Sequence, residues 1–221
     1  MRLVVYNLKG FRLGREPIAQ VLDELRPDLA LLQETGPRRQ LRALAGQLGM
    51  RVAADPWAFP RRRVKNAVLV RPPLELLGQR LHRFPGTERL HPRGVMVAEV
   101  RAGRRELWTL SAHLGLVPRE RTKHARLLAG LASALDGPVV LGADLNELPG
   151  RTTPAVIERS LRDAWSLVGV GGGETFPSDG PSTRIDYLFV SVGVEMAGIR
   201  VGSEAGMASD HLPVIAEVEI A

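Results

Sequence analysis

The chain has 221 residues, of which 44% are hydrophobic and 24% charged, a composition typical of a globular protein large enough to form a core without disulfides. It contains no cysteine, which excludes cysteine-dependent catalysis and thiolate metal sites. No segment has the roughly 18 consecutive apolar residues of a membrane-spanning helix. Residues 1–8 have too short an apolar run for a secretory signal, so we expect a cytoplasmic protein without a membrane span.

The formal net charge of +6 indicates a polyanionic partner such as nucleic acid. A second explanation is equally open. Arginine outnumbers lysine 27 to 3, alongside abundant Ala, Gly, Leu and Val, and this bias is also what genome base composition produces. Charge alone therefore does not decide the partner.

The predicted elements begin with a strand, a helix and a second strand. Residues 2–7, RLVVYN, form an apolar run typical of a buried strand. Residues 15–28 have apolar side chains at helical spacing and close with Pro27, and residues 29–34, LALLQE, predict the next strand. This order is characteristic of a layered α/β domain. A second helix is predicted near 37–48, where leucines recur on one face.

The middle of the chain is predicted to contain strands joined by short turns. Residues 64–71, 94–101 and 105–113 have strand-like apolar patterns, and the last two predict a hairpin closed by AGR. A long helix at 118–136 then precedes a strand at 138–146.

The C-terminal part is predicted to add three strands, at 184–191, near 194–201 and from Leu212 onward. No fixed-period repeat and no linker divides the chain, so we expect a single domain over 1–221. Stretches rich in Pro, Gly and Arg predict long loops at 50–63, 72–92 and 146–183.

Polar side chains suited to metal binding or acid–base chemistry fall where the predicted strands end. Loops at strand ends are where α/β folds place their chemistry, because the sheet fixes positions while the loops carry polar groups. A single Asp or Asn there is more often a turn former or helix cap, but that explanation does not cover a whole set. The set consists of Asn7, Gln33, Glu34, His113, Asp144, Asn146, Asp186, Asp210 and His211.

The residue types in this set point to a hard cation. Desolvating an unpaired carboxylate costs several kcal/mol, so four acids at one sheet end need a cation or a basic partner. Carboxylate and amide oxygens suit Mg²⁺ or Mn²⁺, and the absence of cysteine and of closely spaced histidines argues against zinc. A hard cation with two imidazoles nearby suggests phosphoryl chemistry.

Six segments carry a resemblance to a known family. They are YN at 6–7, QE at 33–34, SAHL at 111–114, GADLN at 142–146, RIDYLFVS at 184–191 and SDHLPV at 209–214. In order and spacing the chain resembles the endonuclease/exonuclease/phosphatase superfamily, with deoxyribonuclease- and sphingomyelinase-like features. The resemblance implies a four-layer α/β sandwich, with two central mixed β-sheets flanked by helices, and metal-dependent hydrolysis of a phosphoester.

The resemblance also implies a metal site. Glu34 would be the principal Mg²⁺ (or Mn²⁺) ligand, with Asn7 beside it and Asp210 contributing directly or through water. These residue types agree with a hard octahedral site that retains several waters.

Five further residues are implied to be catalytic. Asp144 would orient or deprotonate the attacking water, and Asn146 would hold a phosphate oxygen. His211 would lie against the phosphate, paired with Asp186, which would fix its tautomer and favour imidazolium. His113 would contact the phosphate from the other side.

Departures from the family pattern limit the substrate prediction. Lys9 stands where some relatives have an acid, so it would touch phosphate rather than bind metal. Arg93 and Arg119, together with Arg121, are placed to approach a substrate. The run at 61–63, RRR, is either a phosphate clamp or a solvated loop, of which we favour the loop. The stretch VKNAVLV offers no acid to support His113, which leaves the charge of that imidazole open.

The sequence thus predicts a monomeric, Mg²⁺-dependent phosphodiesterase, a nuclease cleaving DNA or RNA. Within the superfamily, a phosphomonoesterase or lipid phosphodiesterase is the alternative, since the long insertions with which abasic-site nucleases grip DNA have no evident counterpart. An alternative of another class is a non-catalytic basic module that binds nucleic acid.

Overall fold

The computed structural model describes residues 1–57, 62–86 and 92–221. Within these residues lie twelve strands and five α-helices. The strands are β1 (Arg2–Asn7), β2 (Leu29–Gln33), β3 (Arg51–Ala54), β4 (Ala67–Val70), β5 (Glu75–Arg83), β6 (Gly94–Ala102), β7 (Arg105–His113), β8 (Val139–Asp144), β9 (Arg162–Asp163), β10 (Asp186–Val190), β11 (Val194–Val201) and β12 (Val214–Ile220). The helices are α1 (Glu16–Leu25), α2 (Arg38–Gln47), α3 (Pro118–Ser133), α4 (Thr152–Ile157) and α5 (Ala164–Val168).

The strands form two six-stranded mixed sheets. The first has the order β11-β12-β1-β2-β4-β3, and the second has the order β5-β6-β7-β8-β10-β9. Each sheet contains one parallel pair, β1 with β2 and β7 with β8, and the other neighbours are antiparallel. The predicted hairpin of 94–101 and 105–113 is present as β6 and β7.

The two sheets and the helices on their outer faces form four layers, because both faces of the central strands of each sheet are apolar. The strands of both sheets alternate side chains between two faces, and both faces of the central strands are buried. Leu3, Leu31 and Val140 belong to the core between the sheets. The outer face of the first sheet packs on α1 and α2, and that of the second sheet packs on α3 and α4. The fold prediction, a four-layer sandwich with two central mixed sheets, is confirmed.

The long-loop predictions were partly wrong. Strand β3 lies within 50–63, β5 lies within 72–92, and α4, β9 and α5 lie within 146–183. Both β3 and β5 are edge strands, and most side chains of β5 are exposed or half-buried on both faces. Their sequences therefore lack the apolar alternation of a half-buried strand, and pairing with β4 and β6 defines them instead.

Within the described ranges, no helix combines the length and the apolar character that crossing a bilayer requires.

Candidate active site

Three site residues lie at one level of the second sheet. The strand register pairs His113 with Asp144 and Asp144 with Asp186. Residues paired across neighbouring strands project from the same face of a sheet. These side chains therefore lie together at one end of the central strands. His113 Nε2 lies 3.3 Å from Asp144 Oδ2. The fold alone thus concentrates two acids and an imidazole.

Asp144 is the hub of this group. Its Oδ2 accepts a hydrogen bond from Asn7 Nδ2 at 2.8 Å, which links the two sheets. Its Oδ1 accepts the backbone N–H of Asn146 at 3.0 Å. Asn146 has φ of +52°, a left-handed conformation that asparagine adopts more readily than most other residues. The carboxylate is buried, so these contacts hold it rigidly.

The surroundings of Asp144 alter its protonation. Burial, and then the negative charge of Asp186, raise its pKa to about 7, although His211 and the Asn7 hydrogen bond oppose the shift. A carboxyl group with a pKa near 7 exchanges protons at neutral pH, as a general base requires.

His211 forms a buried pair with Asp186. Its Nδ1 lies 2.8 Å from Asp186 Oδ2, and that oxygen also accepts the hydroxyl of Thr175 at 2.6 Å. Burial alone would lower the pKa of His211, but the charge and hydrogen bond of Asp186, with smaller effects of Asp144 and Asp210, raise it to about 9. The imidazole is therefore protonated at neutral pH. Its Nε2 lies 3.9 Å from Asp144 Oδ2, too far for a hydrogen bond, so Nε2–H is available to a substrate oxygen.

His113 has the opposite electrostatic setting. Arg93 Nη1 lies 2.7 Å from its Nδ1. Burial, and then the positive charges of Arg93 and His211, lower the pKa of His113 well below its usual value, so the ring is neutral. A guanidinium has donors only, so Nδ1 must be the acceptor and Nε2 must hold the proton. Nε2–H then faces Asp144 Oδ2 at 3.3 Å, whereas the Asn146 amide nitrogen, 3.0 Å from Nε2, donates to the Leu114 carbonyl instead.

The residues implied to bind metal lie at the same end of the strands. Glu34 follows β2 with φ of +46°, and its Oε1 lies 3.8 Å from His113 Nδ1. Asp210 precedes β12, where Ser209 Oγ donates to the carbonyl of Asn7 at 2.7 Å and ties this segment to β1. Asp210 Oδ2 lies 2.6 Å from Lys9 Nζ.

Two groups of side chains fit a divalent cation. The Glu34 side chain is 41% exposed, and within the described residues its carboxylate has only the contact with His113, so its oxygens are available to a hard ion. Separately, ligand atoms of Asp144, Asp186 and His211 lie within 4.8 Å of one another and could hold a metal ion. Asp186 Oδ1 is buried and lacks a hydrogen-bond partner in the part of the chain that the structure describes. However, Nδ1–H of His211 already neutralises Asp186 through Oδ2, which favours the Glu34 side for the ion.

The basic residues expected to approach substrate separate into three kinds. Lys9 and Arg93 contact site residues, Asp210 and His113 respectively. Arg119 is exposed on the first turn of α3 and has no side-chain contact with the site residues among those described. The expectation for Arg121 was wrong, since it is buried and donates to Glu147 Oε1 at 2.9 Å.

Sequence reasoning missed the role of Arg63. The solvated-loop interpretation was wrong for this residue, which is buried and donates to the Gly36 carbonyl at 2.6 Å and to Thr35 Oγ1 at 3.1 Å. Arg62 is exposed, and Arg61 lies outside the described residues. A run of identical arginines contains no signal that distinguishes the buried member, because the partners come from a distant loop.

A basic cavity of about 300 Å³ adjoins the site. Glu34 and His113 form its inner wall, next to the side chains discussed above. Lys65 also lines it and is half-buried, and its ammonium has no hydrogen-bond or ion-pair partner in the described ranges. The remaining lining residues are Gly10, Arg63, Asn66, Pro92, Arg93 and Leu116. The cavity thus suits an anionic group next to the proposed reacting centre.

A buried carboxyl group with a raised pKa, a protonated imidazole and oxygen atoms that fit a cation lie together where the strand ends of the two sheets meet, and groups of these types suit phosphoester hydrolysis. The chain belongs to the endonuclease/exonuclease/phosphatase family, whose model matches residues 4–211. The resemblance identified from the sequence is thereby confirmed, and the protein is a phosphoesterase of that superfamily. No curated protein matches the chain in sequence.

Solved structures with the same fold are numerous, and all those described here are under 20% identical. An endonuclease/exonuclease/phosphatase from Bacteroides vulgatus has 17% identity and a TM-score of 0.85, over 100% of this chain and 98% of that one. A mannosyl-6-phosphatase from Bacteroides thetaiotaomicron has 18% identity and a TM-score of 0.82, over 100% of both chains. D. rerio TDP2, in complex with a single-strand DNA product, has 18% identity and a TM-score of 0.81, over 99% of this chain and 98% of that one. At these identities the likeness establishes the fold.

Proposed function

We propose that the protein is a Mg²⁺- or Mn²⁺-dependent phosphodiesterase, a nuclease that cleaves DNA or RNA. In this proposal, residues 1–221 form a single catalytic domain that acts as a monomer in the cytoplasm. The observation that carries the proposal is the placement of Asp144 between two imidazoles of opposite character, 3.3 Å from His113 Nε2 and 3.9 Å from His211 Nε2. A general base flanked by two proton donors is suited to water attack on a phosphate.

The cation is proposed to bind Glu34 and Asn7, with Asp210 contributing directly or through water. When bound, the ion would neutralise negative charge on the phosphate. Within the described residues the Glu34 carboxylate has only the 3.8 Å contact with His113, and Asn7 is held by its hydrogen bond to Asp144, which supports oxygen ligands next to the proposed base.

The protein groups are proposed to act as follows. Asp144 orients the attacking water and accepts its proton, which a pKa near 7 permits. Asn146 and the neutral His113 donate hydrogen bonds to phosphate oxygens. The imidazolium of His211 stabilises the charge that develops on the phosphate, and Asp186 keeps the ring protonated and holds it through Nδ1–H, which leaves Nε2–H to donate.

The basic character of the protein supports a polyanionic substrate. The net charge is +6, and the cavity that reaches the proposed centre is lined by Arg63, Lys65 and Arg93. A phosphate next to the scissile one would lie in this cavity, which favours a polymer with repeated phosphates over an uncharged substrate.

The test is hydrolysis of supercoiled plasmid, single-stranded DNA and RNA oligonucleotides in Mg²⁺ and in Mn²⁺. Asp144→Asn should lower the rate by roughly 10²- to 10⁴-fold, as expected for loss of a general base, without loss of the folded state. Steeply salt-dependent binding of DNA without hydrolysis under any divalent metal would instead identify a non-catalytic nucleic-acid-binding module.

A second candidate is a phosphomonoesterase or lipid phosphodiesterase. The observation that favours it is the size of the basic cavity, about 300 Å³, which suits a small phosphorylated group better than a duplex. One of the structures with this fold is described as a mannosyl-6-phosphatase. Assays with a sugar phosphate, a phosphoinositide and sphingomyelin, alongside the nucleic acids, separate this candidate from the nuclease.

A further inference from the structure

Lys9 occupies an unfavourable backbone conformation beside the proposed metal site. Its φ is +45°, in the left-handed region that L-residues other than Asn and Asp rarely adopt. Its backbone N–H donates to Asn7 Oδ1 at 3.0 Å, and the next residue, Gly10, donates to the carbonyl of Glu34 at 2.8 Å. Two residues proposed as metal ligands therefore hold Lys9 in this conformation, and such positions are characteristic of functional sites.

The side chain of Lys9 contacts Asp210, the third proposed metal ligand. Lys9 Nζ is 2.6 Å from Asp210 Oδ2, and the two side chains are 34% and 30% exposed. The separation is that of a charge-assisted hydrogen bond. Asp210 is thus already paired with a cation supplied by the chain, whereas Glu34 has, among the described residues, only the 3.8 Å contact with the neutral His113.

We propose that the ammonium of Lys9 is a built-in counter-ion of Asp210, and that the centre therefore takes one divalent cation, on the Glu34 and Asn7 side. This inference rests on the proposed metal dependence and extends it to the number of ions. A second divalent ion on Asp210 would lie close to the ammonium, and the repulsion between the two positive charges opposes its binding. The ammonium of Lys9 provides a positive charge at Asp210, where a second metal ion would otherwise provide it.

This role differs from the phosphate contact predicted for Lys9 from the sequence. The ammonium of Lys9 donates one of its three N–H groups to Asp210, so its charge already has a carboxylate partner. Lys65 has the available ammonium, because the residue lines the cavity and the ammonium has no hydrogen-bond or ion-pair partner in the described residues. Lys123, exposed on α3 and not among the residues that line the cavity, is the matched control for loss of a lysine charge.

The experiment counts Mn²⁺ ions bound per chain, by isothermal titration calorimetry and by electron paramagnetic resonance of free Mn²⁺, without substrate. The variants are Lys9→Asn, Lys9→Asp and Lys123→Met. Asn and Asp tolerate the left-handed conformation, so the two Lys9 variants change charge without adding backbone strain. Circular dichroism of the metal-free proteins verifies that each variant is folded.

We expect one Mn²⁺ per chain in the wild type and in Lys123→Met, with equal affinity. Lys9→Asn should still bind one ion but at least roughly tenfold more tightly, because a positive charge near the ion is lost. Lys9→Asp should bind two. Two Mn²⁺ ions per wild-type chain would overturn this inference but not the proposed metal dependence. The same holds if the Lys9 variants bind the same number of ions as the wild type with the same affinity. A wild type that binds no Mn²⁺ would overturn the proposed metal dependence as well.

Discussion

Arg93 Nη1 donates a hydrogen bond to His113 Nδ1 over 2.7 Å, so a permanently charged donor occupies the position at which an acid would support a charged histidine. The contact fixes His113 as a neutral ring with its proton on Nε2. His113 and His211 therefore have different protonation states, although both are buried within 4 Å of Asp144 Oδ2.

The first prediction concerns this tautomer. In Arg93→Met the donor to Nδ1 is lost, so we expect His113 to populate both tautomers and the rate to fall roughly tenfold or more, as for a misoriented proton donor. Nitrogen-15 NMR of the imidazole rings measures the tautomer directly and does not depend on turnover. Arg126→Met, an exposed position on α3, is the control. An unchanged His113 spectrum in Arg93→Met would refute the assignment.

The second prediction is a bell-shaped dependence of kcat/KM on pH. The falling limb should lie near pH 9, where His211 loses its proton, because its pKa is raised to about 9. The rising limb should lie at or below pH 7, since the pKa of Asp144 is about 7 and a bound cation favours its ionised form. In Asp186→Asn the pKa of His211 should fall, so the upper limb should move toward neutral pH. An upper limb that stays near 9 in that variant would exclude His211 as its source.

The third prediction is a loss of stability with rising pH in the metal-free protein. The folded pKa of His211 is raised from 6.5 to about 9, so its contribution is complete below pH 6.5 and is lost as pH rises through 9. A shift of this size corresponds to at most about 3 kcal/mol. The pKa of Asp144 is also raised, so its ionisation destabilises the fold in the same direction. Urea unfolding at pH 6.5 and 9 checks the sign, and greater stability at pH 9 would contradict the His211–Asp186 pairing.

The sequence predicted much of this site because its chemistry is encoded at strand ends. His113, Asp144 and Asp186 each follow or begin a strongly apolar strand, and the register of β7, β8 and β10 then brings them together. The apolar pattern is local, so the element order and the site edge were predictable. The edge strands β3 and β5 were not, because their pairing partners define them.

Most of the hydrogen bonds and ion pairs that hold the site residues could not be predicted from the sequence. Thr175 anchors Asp186, and Arg63 is buried against Thr35 and Gly36, yet these contacts join loops that are distant in the chain. Lys9 illustrates the same limit. Its charge was apparent from the sequence, but that its ammonium pairs with Asp210 depends on the left-handed backbone at residue 9.

The fourth prediction tests the close approach of the two sheets at Gly142. A Cβ atom there would lie 2.7 Å from Val5 Cγ2 and 2.8 Å from Leu31 Cβ, both in the facing sheet. Gly142→Ala should therefore destabilise the fold by about 1–3 kcal/mol through overpacking. Gly198→Ala in β11 is the control, since its Cβ would have no neighbour within 4 Å. Thermal unfolding of both variants makes the comparison, and equal midpoints would show that the sheets can separate at no cost.

The fifth prediction separates the structural from the catalytic role of the buried His211–Asp186 pair. His211→Gln leaves the Asp186 carboxylate buried without its cationic partner, so it should cost about 3–5 kcal/mol of stability, the range for breaking a buried ion pair. Adding Asp186→Asn removes the unpaired charge, so the double variant should recover most of that stability.

Turnover should respond differently. The double variant has no imidazolium to face the phosphate, so its rate should stay at the level of His211→Gln, roughly 10²- to 10⁴-fold below wild type. Urea unfolding and a phosphodiester assay on the same three proteins give both quantities. Recovery of rate together with stability would mean that His211 acts only by holding the fold, because a group that donates to the reacting phosphate cannot be replaced by a repaired hydrogen bond elsewhere.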